Sequence, residues 1–112
     1  MTESAKPNRV VAYEAAQTAA AAGRSARSCM QDAQGAASRG DEARVNQCVD
    51  LADGAVGAAR EAAKVAIDAL EKEKSQGGSN VEAMRPDVDA AQERVKEAEG
   101  CAVKAADAGD SA

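Results

Sequence analysis

The chain of 112 residues contains no histidine, tryptophan or phenylalanine, and Tyr13 is its one aromatic residue. Without histidine it lacks the side chain that most often serves as general base and metal ligand near neutral pH. Without aromatic platforms it has nothing on which bases can stack. Its lysines and arginines are scattered, and its net charge is −5. Both features argue against nucleic-acid binding, which needs a basic stripe. Long apolar runs are also missing. The four alanines at 19–22 fall far short of the roughly 20 residues that a membrane-crossing helix needs. The opening "MTESAKPNRVV" has no apolar segment of the signal-peptide kind. These absences predict a cytoplasmic protein with reduced thiols, the alternative being a mature secreted chain carrying an added methionine. No glycine-rich phosphate loop follows a strand, because no segment reads as a strand. The acid pairs Asp50 and Asp53, and Asp87 and Asp89, fall on polar helix faces. Glu14 and Asp32 lie nearest the apolar seam of the first helix, without a partner ligand. Nothing here predicts an enzyme.

Large aliphatic side chains are scarce too. There are ten valines, two leucines and one isoleucine against 30 alanines. At about 25 cal/mol per Å² of buried apolar surface, an alanine core contributes little. The chain is therefore expected to be marginally stable unless a crosslink, self-association or a partner adds to it. Charged residues at 29% would suit a disordered chain. The apolar positions are nevertheless periodic, which confines the expected disorder to 1–6 and 108–112.

That periodicity carries the fold. Positions 12, 15, 19, 22, 26, 29, 33 and 36 are alanine except for Cys29, and their spacing alternates three and four. This is the a/d seam of a helix packed along its whole length, as in a coiled coil. Pro7 suits its first turn, which gives a helix over about 7–38. A second segment has two seams. One runs from Val45 and Cys48 through alanines to Ala69, and the other from Val45 and Val49 to Leu70. Its broad apolar face can meet two neighbours. Asp41 is its candidate N-cap, and "KEKSQGG" at 72–78 would end it with cations and glycines. That gives a helix over about 41–75. The third seam joins Met84, Val88, Ala91, Val95, Ala98, Ala102 and Ala105. "SNVE" at 79–82 reads as a capping box, but Pro86 belongs in a first turn. The favoured helix is therefore 85–106, after a mobile linker. Together these form one all-α domain over 7–107, an antiparallel three-helix bundle with alanine-rich seams.

Two cysteines flank the first turn. In an antiparallel hairpin that turns near 38–41, level residues have numbers summing to about 79, and Cys29 and Cys48 miss that by about 3 Å of rise. Both lie on facing seams, so they are a disulfide candidate. A crosslink there would close a loop of about 18 residues and add roughly 3 kcal/mol. The alternative is two small buried thiols that pack like alanine. Cys101 falls one position off its seam and is expected to be part-exposed. With a helix starting at 85 it lies about 15 Å from Cys29, but with a start at 80 the three thiols come together. Cys29, Cys48 and Cys101 are then candidate ligands for Cu(I) or zinc.

"NQCVDLADGAVGAAREAA" at 46–63 resembles the helical repeat of four-helix-bundle copper-storage proteins, which line their interiors with cysteines at this spacing. Cys48 stands at one such place, while Ala52, Ala55, Ala59 and Ala62 occupy the others. The resemblance covers under a fifth of the chain. Residues 58–74 are similar in composition to desiccation-protectant proteins, without an 11-residue repeat. The leading expectation is a non-catalytic helical interaction or assembly protein, acting on a protein partner or on itself as a homodimer. The alternatives are a thiol-based metal or redox bundle and a desiccation protectant. With a short third helix, the face between the first two helices should stay uncovered near Tyr13 and Leu70. Cys101 would then be free for an intermolecular disulfide.

Overall fold

Alanine at every third and fourth position gives each helix one smooth stripe, and the three stripes face one another. A computed structural model describes residues 6–111, in which α1 (Asn8–Ser38), α2 (Glu42–Ser75) and α3 (Val81–Ser111) pack side by side. The order is up, down, up, and the bundle is 57 Å long. The seam positions of α1 are buried except for Cys29, which is half-buried. Both seams of α2 are buried except at Val49, and that of α3 except at Val95. The core falls into two clusters. One holds Leu70, Met84 and Val88 at the α2–α3 turn, and the other holds Cys48, Val56 and Cys101 farther along. Met84 is the largest side chain that is fully enclosed.

The α1–α2 turn matches its sequence. Gly40 takes φ 72°, the left-handed geometry that ends a helix. The Asp41 carboxylate accepts from the Arg44 N–H at 3.1 Å, capping α2.

The α2–α3 turn differs from expectation. α3 begins at Val81 rather than 85, and 76–80 form a tight turn rather than a linker. Met84 N–H donates to the Asn80 carbonyl at 2.9 Å, so Asn80 opens the helix. Pro86 therefore sits inside α3, where it removes the bond to the carbonyl four residues back. That carbonyl belongs to Glu82, an exposed residue, so water can satisfy it. Starting the helix early also carries Met84 and Val81 into the core. α3 runs on to Ser111, through residues expected to be disordered. The expected disorder at 1–5 and at 112 lies outside the described residues.

The longer α3 also covers part of the end expected to stay open. Leu70 is 7% exposed and packs in one cluster with Met84 and Val88, while Tyr13 stays 54% exposed beside the start of α3. Cys101, expected to be part-exposed, is 8% exposed, which removes the case for an intermolecular bond through it.

Glu73 ties the three helices together at this end. Its side chain is buried, and its carboxylate accepts from Asn8 Nδ2 at 3.0 Å and from the Asn80 N–H at 3.1 Å. Asn8 opens α1 and Asn80 opens α3, so the carboxylate faces the positive ends of two helix dipoles. Gly78 N–H donates to the Glu73 carbonyl at 2.9 Å. A Cβ at residue 78 would collide with the Glu73 carboxylate, so the turn needs glycine there. An arginine–carboxylate pair crosses each of the three helix interfaces: Arg44–Asp32 at 3.1 Å, Arg60–Glu99 at 2.6 Å, and Arg27–Glu97. Such exposed pairs contribute roughly 0–1 kcal/mol each; their larger effect is to fix register.

The Asn8 side chain and then the Asn80 N–H hold the Glu73 carboxyl below its ordinary pKa, against the opposing effect of burial. A lowered folded-state pKa contributes stability that is complete above the ordinary carboxylate range and is lost as pH falls through the lowered value. Acid unfolding followed by circular dichroism should therefore show a steep loss of stability below the ordinary range. Glu73→Gln should flatten that loss; an unchanged acid limb would separate Glu73 from it.

Gly100 lies on the exposed face of α3 with nothing within 4 Å of an added Cβ. Gly100→Ala should raise the stability measured by urea denaturation by up to about 1 kcal/mol.

Candidate functional site

Each helix contributes one cysteine, and the register sets them level. Asn8–Glu73 and Asp32–Arg44 fix the α1–α2 register, and Cys29 and Cys48 fall in step with it. Glu97 meets both Gly23 and Arg27 across α1–α3, which places Cys29 opposite the stretch of α3 around Cys101. Cys48 and Cys101 belong to one core cluster, and Cys29 packs against it. This is the arrangement expected for a helix starting near 80. It does not produce a crosslink, because all three cysteines are free thiols. The reason lies on α1. Cys29 and Met30 share the seam's margin, both half-buried, while Cys48 is fully enclosed. Among the described residues no group of three or more cysteine, histidine or acidic side chains is placed to hold a metal. Burial first, then the neighbouring Cys48 and Asp32, push the Cys29 thiol above its ordinary pKa, and Arg44 opposes them. A protonated, partly covered thiol is a poor nucleophile. The interior positions Ala52, Ala55, Ala59 and Ala62, where the copper-storage repeat would carry cysteine, are alanine packed into the core.

The acids singled out in the sequence are surface groups. Glu14 pairs with Lys6 at 2.8 Å and Asp32 with Arg44, while Asp50 and Asp53 are exposed. The Arg94 guanidinium, at 2.8 Å, is the main cause holding the Glu97 carboxyl below its ordinary pKa, with Arg27 adding to it. This cluster lies over Gly23, where a Cβ would come within 2.7 Å of Glu97 Oε1.

The three outer grooves of the bundle differ in chemistry. That between α2 and α3 is charged, with Arg60, Lys64, Glu93 and Lys96 along it. That between α1 and α3 carries Arg9 and Asp87 beside Val10 and Tyr13. The α1–α2 groove is mixed too, but holds a run of apolar residues on both walls. Val11, Ala15 and Thr18 face Ala58, Ala62 and Val65, and Lys6, Glu14 and Glu61 also line it. Seven residues before Ala58, Leu51 continues the stripe, 52% exposed, and Val65 is 46% exposed. On α1 the same side continues through Ala22 and Ser25, both uncharged. The sequence seams did not bring out this face. The signal was present as apolar residues seven apart at 51, 58 and 65, outside both core seams.

Among the described residues no helix is long and apolar enough to cross a membrane. Comparison with protein-family models, with curated proteins and with solved structures found no match.

The differing burial of the thiols is measurable. In native protein an aromatic disulfide reagent should modify Cys29 first, with Cys48 and Cys101 reacting only on unfolding. Equal rates for all three thiols, resolved by peptide mapping, would contradict this burial pattern.

Proposed function

We propose that this chain is a non-catalytic helical interaction protein whose α1–α2 groove receives another helix. The observation that carries the reading is the exposed apolar stripe of α2. Leu51, Ala58 and Val65 stand along the α1–α2 groove facing Val11, Ala15 and Thr18 of α1, while the charged Lys6, Glu14 and Glu61 also line it. Small side chains let a partner backbone come close, and the exposed leucine and valine supply apolar area to bury. The fitting partner chemistry is an amphipathic helix with an apolar stripe of small residues.

Site-directed photocrosslinking in the source cells tests the reading. A crosslinking side chain in place of Val65 should give protein adducts, while the same group in place of Lys64, facing the charged groove, should give few. Equal yields at the two positions, or no adduct at either, would refute it.

A further inference from the structure

We infer that the occupant of the α1–α2 groove is a second copy of this chain, docked about a twofold axis that passes Ala58. The inference rests on the groove reading above and adds the identity of the partner. It starts from a symmetry in α2. Leu51 and Val65 each stand seven residues, two helical turns, from Ala58. When two α2 helices lie antiparallel with Ala58 against the partner's Ala58, Leu51 comes level with the partner's Val65, and Val65 with the partner's Leu51. These are the two large apolar side chains that α2 leaves exposed beyond one-third on this side. A single placement thus covers both of them twice. A shift of one turn leaves one of each pair uncovered.

The α1 side of the groove permits that approach. Thr18, Ala22 and Ser25 are small and uncharged, so the partner's α2 can settle between α1 and α2. The two hairpins then form a four-helix layer with each α3 on the outside. Twofold pairing of one patch with itself is the commonest form of self-association.

Size and charge set the strength. Residues 11–29 of α1 and 47–65 of α2 run for about 28 Å, and two adjacent helices are about 20 Å wide. The face is then about 560 Å² per copy and about 1,100 Å² for the pair, at the lower edge of specific interfaces. In this register Arg44 comes level with the partner's Lys72, and Asp50 lies two residues from level with the partner's Asp68, like charges whose repulsion salt screens. The dimer is weak, reversible and salt-promoted.

Sedimentation equilibrium of the full chain, from low-micromolar to near-millimolar concentration and in dilute and molar sodium chloride, reads this directly. The mass should climb from monomer towards dimer, at lower protein concentration in high salt. Ala58→Glu puts like charges on the axis at an exposed helical position, and glutamate is a good helix former, so the fold persists by circular dichroism. That variant should stay monomeric throughout, whereas Ala90→Glu, on the exposed face of α3, should associate like the parent. On mild oxidation Ala58→Cys should give a covalent dimer faster than Ala90→Cys. A parent that stays monomeric at every concentration, or a dimer that survives Ala58→Glu, overturns the inference. A monomer that still yields Val65 adducts with a different protein overturns the second copy alone and leaves the groove as a docking surface.

Discussion

The bundle depends on the close approach of helices that alanine permits. A methyl group on each facing position brings helix axes towards the short end of the usual 8–10 Å range. Alanine loses no side-chain entropy on burial, so a thin core can still be favourable. The same smallness removes the interlocking knobs that set register in leucine-rich bundles. Alanine stripes can slide past one another with little change in contact, and something else has to fix their alignment. Here that task falls to polar groups at the edges. Each interface carries one arginine–carboxylate pair, and the Glu73 carboxylate joins the start of α1, the end of α2 and the start of α3.

Glu73 also explains how the chain accommodates Pro86. Local preference would start the last helix just before the proline. Starting it at Val81 leaves one carbonyl without its helical donor, but places Met84 in the core and lets Asn80 bond to Glu73. The lost hydrogen bond is at the surface and open to water, whereas the gained contacts are buried. The extra turn of α3 then covers Leu70 and helps bring Cys101 into the interior. One carboxylate and two glycines in a tight turn thus decide how much of the hairpin is covered.

What stays uncovered is the far side of that hairpin. α3 seals one face of α1 and α2 and leaves the opposite groove open, with Ala58 and Val65 exposed along it between Lys6, Glu14 and Glu61. The thiols are of a different kind. They come level because the register is right, yet Cys29 turns to the margin of its seam while Cys48 is enclosed. Level placement along three helices is therefore not sufficient for a crosslink or a shared ligand set. Rotation of each helix about its own axis decides that, and it is set by which neighbours fill the remaining space.

The sequence by itself determined the class of fold, the three seams and the first turn. Alternation of three and four between apolar positions survives any detail of packing, because a helix cannot bury such a stripe except against another. Almost every seam residue is accordingly inside, and Asp41 caps α2. The start of α3, the burial of Cys101 and the role of Glu73 were not legible. Each depends on a partner distant in sequence, Asn8 and Asn80 for Glu73 and the core contacts of Met84 for the early helix start. The exposed stripe of Leu51, Ala58 and Val65 was present in the spacing. Only the packed bundle decided that it would face solvent, because α3 encloses one side of the α1–α2 hairpin and leaves the other open.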